Sequence, residues 1–266
     1  MAAVARDESS KTTRVLGVIL VKVDQASATV LSLAVAPEYR RKGVAGALLD
    51  RALGLARAQG VERACLSFVS RMPQVAALKA LLRSAGWSEP TPRTLFAETA
   101  PQQVLQQAWA QRVLDRGPRN ATAFDWSDLT PEDRAYVEAE IAGGHYPQDV
   151  SPFWDEGNIA PVSLGLRAAD GCVVGWLACH FVPQTPGTLR FSRSFCHAAS
   201  AFSGNGAWIM ATGLDRHVNS GLHQSHPTVL FDVDCRNRVM MNVYRRRIEP
   251  YIDTSYQSFL VVKDLC

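Results

Sequence analysis

Residues 14–23 and 27–35 are apolar runs of strand length, rich in β-branched side chains and separated by Asp24-Gln25-Ala26. They predict an antiparallel strand pair. From residue 44 the period changes: Val44, Leu48, Ala52 and Leu55 recur at helical spacing while Asp50, Arg51 and Arg57 fall elsewhere, with Gly60 placed to end the helix. A helix is expected over 44–58. A strand over 61–69 and a helix over 74–86, closing at Gly86-Trp87, complete the series. Residues 1–13 read as a polar, frayed lead-in, and 87–100, with Pro90 and Pro92, as a closing strand or hairpin. A helix over 102–114 is then broken by Arg116-Gly117-Pro118-Arg119-Asn120.

Beyond that break the pattern restarts. Thr130-Pro131-Glu132-Asp133 opens a helix with Thr as N-cap and Pro at its first position, and Gly143-Gly144 closes it. Strands at 162–169 and 172–182 flank the turn dipeptide Asp170-Gly171, and a third follows at 189–197. After the glycine loop Ser203-Gly204-Asn205-Gly206 come a helix (207–218), a strand (228–234), a helix (237–247) and a last strand (258–262). Element by element this repeats the first half. The division expected is a first unit over 1–100, a helical linker over 101–122 and a longer second unit over 123–266.

The chemistry concentrates in Val35-Ala36-Pro37-Glu38-Tyr39-Arg40-Arg41-Lys42-Gly43-Val44-Ala45-Gly46, where a strand passes through a basic turn into a helix. Unpaired N–H groups and the helix dipole make such a turn able to hold a pyrophosphate on main chain. Gly43, Ala45 and Gly46 let phosphate approach, and Arg40, Arg41 and Lys42 add charged donors. The competing reading is a solvated turn. Neither G-x-G-x-x-G nor G-x-x-x-x-G-K-[ST] spacing occurs there.

The order Val35-Ala36-Pro37, then Arg40, Gly43 and Ala45, resembles the acyl-CoA signature of the GNAT superfamily of N-acyltransferases. The strand, helix, strand and helix that follow also match it. The resemblance implies an α/β fold of two tandem GNAT-like units, each a mixed, mostly antiparallel sheet flanked by helices. It further implies acetyl-CoA as acyl donor, bound by Leu33, Ala34, Val35, Arg40, Arg41, Lys42, Gly43, Val44, Ala45 and Gly46, and a primary amine of a small molecule or peptide as acceptor. The first unit is expected to be truncated, without the opening strand and two helices of the family. The 102–114 helix, residues 130–156, or a second copy of the chain in a homodimer would then cover its bare face. The family's acid, a tyrosine in an Asn-x₆-Tyr pattern, falls on Leu82 and Val75 in the first half, whereas Asn237 and Tyr244 keep the spacing in the second. Tyr244 is the catalytic candidate, with a core role as the alternative. The second half has Ala198 and Ala201 where the signature has Pro and Arg. His145, Tyr146, Trp154 and Asp155 correspond in order to acceptor-side loops, an aromatic and acidic mix suited to a cationic amine, with packing under the sheet as the other reading.

Composition narrows the rest. The 266 residues are 47% hydrophobic and 20% charged, with net charge +3. This is globular protein with too mild a charge to argue for nucleic acid. Arg245-Arg246-Arg247 reads as a solvated helix end. Six cysteines without a C-x-x-C pair point to reduced thiols, and six histidines lack acidic or thiol partners at ligand spacing, so no metal is expected. No apolar run approaches the ~18 residues of a membrane span, and the cytoplasm is the expected location.

Overall fold

The computed structural model describes residues 2–7, 14–197 and 204–265. They form two compact units: residues 1–95 with 256–266, and residues 96–255. The expected boundaries are therefore corrected. Residues 101–122 are no linker but part of the second unit, and the last strand of the chain belongs mainly to the first.

In unit 1, β1 (Ala2–Asp7) pairs antiparallel with β2 (Arg14–Val23), which pairs antiparallel with β3 (Ser27–Val35). The expectation of a frayed start without an opening strand is thus overturned. The two helices are indeed missing, because β1 and β2 are separated only by residues 8–13. α1 (Val44–Arg57) leads to β4 (Arg63–Val69), which runs parallel to β3, and α2 (Val75–Ser84) leads to β5 (Thr91–Thr99). β11 (Thr254–Asp264) returns antiparallel to β4, with Ser258 opposite Val69 and Asp264 opposite Arg63. The unit boundaries fall inside β5 and β11.

Alternation fixes how β2 sits. Gly17, Ile19 and Val21 face the core, while Val18, Leu20 and Lys22 face out. α1 buries Leu48, Leu49, Ala52, Leu53 and Ala56, a stripe of helical period. A side chain at Gly17 would crowd Leu48 Cδ1 at 3.1 Å and the Ala34 carbonyl at 2.7 Å, so glycine there sets how closely the helix approaches. α2 ends as expected: Gly86 is left-handed (φ 72°), and the Trp87 N–H returns to the Leu82 carbonyl at 3.0 Å.

In unit 2, α3 (Pro101–Leu105) and α4 (Ala108–Arg116) precede β6 (Ala121–Asp125) and α5 (Pro131–Ala142). β7 (Leu164–Ala168), β8 (Val173–Phe181) and β9 (Thr188–Cys196) form an antiparallel meander with β6. α6 (Asn205–Asn219) leads to β10 (Thr228–Asp234), parallel to β9, and α7 (Arg238–Val243) continues as a π-helical turn over Tyr244–Ile248. α3 and α4 pack on α6. Each unit is a mixed sheet flanked by helices, as expected. No described helix is long and apolar enough to cross a membrane.

The start of α5 joins two devices at one carboxylate. Asp133 closes a capping box with Thr130, accepting the Thr130 N–H at 2.9 Å, and receives a two-pronged contact from the Arg167 guanidinium. The Arg167 hydrogen bond holds the Asp133 carboxyl down at about 2, against the opposing effect of burial. Asp133→Asn should cost about 2–4 kcal/mol at neutral pH, measured by urea unfolding, since it leaves a half-buried guanidinium without its counter-charge. A depressed folded-state pKa stabilises above the unfolded value of 3.8 and stops doing so as pH falls through about 2, so the gap between variant and parent should close over that window.

Candidate functional site

β3 ends at Val35, where the Ala36 N–H still reaches the Leu16 carbonyl (2.9 Å), and a 3₁₀ turn over Pro37–Tyr39 redirects the chain. Arg40 Nε donates back to the Val35 carbonyl at 3.2 Å, Arg41 is left-handed (φ 62°), and Gly43 (φ 81°) is the N-cap of α1 with no side-chain cap. The first helical bond is from Ala47 N–H to the Gly43 carbonyl, so the N–H groups of Val44, Ala45 and Gly46 have no partner within the helix. These residues are half-buried and reachable. A side chain at Gly43 would meet no atom within 4 Å, which leaves open space over the helix start. Arg40, Arg41 and Lys42 are exposed, and among the described residues none of them pairs with a carboxylate. Unpaired N–H groups at a helix start favour an anion.

Beside it the sheet opens. β3 and β4 stay in register from Ser27–Arg63 to Val30–Leu66 and no further. At that point β3 carries an extra residue against β2: Leu20 faces Ser32 and Val21 faces Val30, leaving Leu31 as a bulge, 57% exposed. Leu33, Ala34 and Val35 therefore lie beyond the parallel pairing, with main-chain groups on the β4 side unclaimed by that strand. Nothing in the sequence reading marked Leu31. Its only signal was being apolar on a strand whose alternation breaks there.

Unit 2 repeats this geometry 161 residues later. β9 and β10 pair from Thr188–Thr228 to Phe191–Phe231, Ser192 is the bulge, and Gly204 (φ 90°) caps α6 as Gly43 caps α1. The space differs: a side chain at Gly204 would lie 2.5 Å from Arg116 Nη2. Asn205 also exchanges bonds with the Arg119 main chain, at 2.9 and 3.0 Å. The chain's own α4–β6 connection lies against the start of α6. Ala198 and Ala201 are outside the described residues.

Residues 3–87 match the profile of the Acetyltransferase (GNAT) family. The first unit is a GNAT-family domain. The whole chain resembles a tandem GNAT protein from the clavulanic acid biosynthesis pathway (TM-score 0.67, 16% identity), covering 100% of this chain and 84% of that one. It also resembles a GCN5-related glucosamine N-acetyltransferase region of a fungal multi-domain GH3 β-N-acetylglucosaminidase (TM-score 0.63, 16% identity), spanning 98% of this chain and 32% of that one. A GCN5-related N-acetyltransferase from Sphaerobacter thermophilus aligns with a TM-score of 0.56 and 17% identity, over 94% of this chain and 77% of that one. At these identities the likeness establishes the fold, a tandem GNAT arrangement. No relative matches among curated protein sequences.

The expected acid positions of the GNAT pattern lie in or against the cores and at a helix cap. Leu82 is 2% exposed in the core of unit 1, and Val75 packs against that core. In unit 2, Asn237 caps α7 by accepting the Met240 N–H (3.0 Å), and Tyr244 is 2% exposed. Burial, then the nearby Glu249, raises the Tyr244 phenol pKa, while a hydrogen bond with Ser255 opposes the shift. With so little of it exposed, a core role is the expectation for Tyr244. Tyr244→Phe should leave turnover within about twofold and lower stability by about 1 kcal/mol through the lost hydroxyl contact. Steady-state rates and thermal unfolding read the two separately, and a turnover loss of ~10-fold or more would restore Tyr244 as an acid.

Of the acceptor-side candidates, Tyr146 is corrected: it is 3% exposed, donates to the Val173 carbonyl at 2.8 Å and packs on Trp176 and Phe195. His145 sits at the surface beside Glu140 (3.2 Å). Trp154 and Asp155 are exposed, but the surroundings of Trp154 are cationic, with the Arg190 and Arg193 guanidiniums 5.8 and 5.3 Å from its ring. Among the described residues no cluster could hold a metal ion.

Proposed function

We propose that this protein is an acyl-CoA-dependent N-acyltransferase, moving an acyl group, acetyl in the first instance, from CoA to a primary amine of a small molecule or peptide. The observation that carries this reading is the bare start of α1 at Gly43, with Arg40, Arg41 and Lys42 at its mouth and the opened β3/β4 edge beside it. Val44, Ala45 and Gly46 would hold the pyrophosphate on main-chain N–H groups, and Leu33, Ala34 and Val35 would lie along the donor. The thioester supplies an activated acyl group, so the protein's task is to orient it and polarise its carbonyl. A cytoplasmic location belongs to the same reading, for a chain whose six cysteines include no C-x-x-C pair.

Leu82 favours a second reading, a non-catalytic acyl-CoA-binding protein, because it puts an apolar side chain where the family's acid would stand. Release of thiol from acetyl-CoA in the presence of free amines, amino acids and peptides separates the two. Binding is tested first. Calorimetry should show that Gly43→Asp weakens acetyl-CoA by ~10-fold or more, through a carboxylate set against phosphate. Gly204→Asp should change affinity by less than about twofold, the start of α6 already being filled by Arg116. Arg40→Gln, at an exposed site, should weaken binding in a salt-dependent way. Equal losses for the two glycine variants, or a loss confined to Gly204→Asp, would move the donor site to unit 2.

A further inference from the structure

We propose that three histidines at the end of α6, His217, His223 and His226, form an acid-operated latch on the connection from α6 to β10, closed while they are neutral and released when they take up protons. The proposal rests on contacts within unit 2 and is independent of the acyl-CoA reading. His217 is 0% exposed, and neither of its ring nitrogens makes a hydrogen bond. It is packed as an apolar side chain would be. His223, half-buried, follows in a 3₁₀ turn over Leu222–Gln224, its Nδ1 also buried without a partner. His226 lies 4.9 Å from the Phe181 ring at the end of β8, with its Nδ1 2.9 Å from Ser225 Oγ. Buried imidazoles left this short of partners tolerate the neutral ring far better than the charged one.

The surroundings supply no counter-charge. Among the described residues no carboxylate pairs with any of the three. On α6 itself, Asp215 stands two residues from His217 and so off its face, and Arg216 is held by Asp125 at 2.7 Å. Of the elements packed on α6, α3 is uncharged, and α4 carries Arg112 and Asp115, both exposed, and Arg116, which lies over Gly204 at the opposite end of the helix. His180 of β8 is bonded to the Trp154 carbonyl, Arg190 of β9 to Asp232, and Arg193 of β9 lies on the Trp154 ring. The turn from Pro183 to Thr188 has no charged residue. Burial lowers the His217 pKa below its ordinary 6.5, and the nearby His223 and His226 lower it too, against an upward pull from the His226 and Leu222 carbonyls. A histidine depressed in this way contributes stability that is whole above 6.5 and is lost as pH falls below it.

The segment that would yield is lightly tied. Gly221 (φ 77°) turns the chain out of α6, and the main-chain bonds that follow are local, from Gln224 N–H to the Gly221 carbonyl (3.0 Å) and from His226 N–H to the Leu222 carbonyl (2.9 Å). The link across to the neighbouring strand is Thr228 N–H to the Gly187 carbonyl, at 3.3 Å. β10 then pairs with β9 only from Thr228 to Phe231. Release of the histidine corner therefore loosens the closed end of the short parallel pairing on which the geometry of unit 2 depends.

Amide hydrogen exchange of the full chain at about pH 7.5 and about pH 5.5, corrected for the intrinsic pH dependence of exchange, reads the latch directly. Protection over residues 217–231 should fall by ~10-fold or more at the lower pH, while protection over α1 in unit 1 changes by less than about twofold. His217→Leu keeps an apolar side chain in place and removes the titrating ring, so it should cut the loss to less than about threefold. The double variant His223→Gln with His226→Gln alters only half-buried positions and should shrink the loss at least ~2-fold, whether or not His217→Leu folds. Circular dichroism and the thermal midpoint at neutral pH check the fold of each. An equal loss over α1, no loss over 217–231, or the parent's full response in either folded variant would each overturn the proposal.

Discussion

Two parallel strands that pair over four residues and then separate set the geometry of both units. Separation inside a sheet is costly, because main-chain donors and acceptors lose partners on one side. It is held open by a bulge at the same place, Leu31 in one unit and Ser192 in the other, and by a helix pressed close to the neighbouring strand. That approach depends on a glycine in the antiparallel partner: Gly17 opposite Val35 admits Leu48, and Gly175 opposite Cys196 admits Ile209. Leu48 and Ile209 stand five residues after the left-handed glycines that start α1 and α6. Core packing and the helix start are thus one construction, made twice.

What fills the construction differs. In unit 1 the turn into the helix is basic and unobstructed, and the opened edge is apolar, with Leu31 and Leu33 along it. In unit 2 Arg116 lies over Gly204, and the positions matching Ser32 and Ser67 carry charge, Arg193 and Asp232. The electrostatics are inverted between cradle and edge. One unit leaves a helix start uncapped beside three exposed cations. The other sets its strand-edge arginine, Arg193, against the Trp154 ring.

Much of the first cradle was legible in the sequence, because a strand end, a glycine that must be left-handed and three cations lie within a few consecutive residues. Helix and strand types in both halves were legible for a related reason, as apolar period is local. Domain boundaries were not: β11 joins unit 1 through pairing with β4 across almost two hundred residues, and no local pattern announces such a partner. Tyr244 and Asn237 show what spacing alone leaves out. Their spacing is that of a catalytic pattern, while Asn237 caps α7 and Tyr244 is buried, contacts that no local pattern announces. The contact of Arg193 with the Trp154 ring was invisible because it is a fact of three-dimensional neighbours alone.

The outer face of unit 1 follows from the same construction. β2 carries large apolar residues on both sides: Ile19 and Val21 are buried, while Val18 and Leu20 are 37% and 43% exposed, next to Val4 at 44%. A strand apolar on both faces is the pattern of a sheet covered on both sides. Here the segment between β1 and β2 is too short to supply two covering helices, and the 102–114 region suggested as cover is built into unit 2 instead. At 37–44% exposed, each of these side chains forgoes only part of the about 1.5–3 kcal/mol that full burial gives. The core beneath α1, with Ile19, Leu49, Ala52 and Ala56 almost wholly buried, supplies the larger share of the unit's apolar burial.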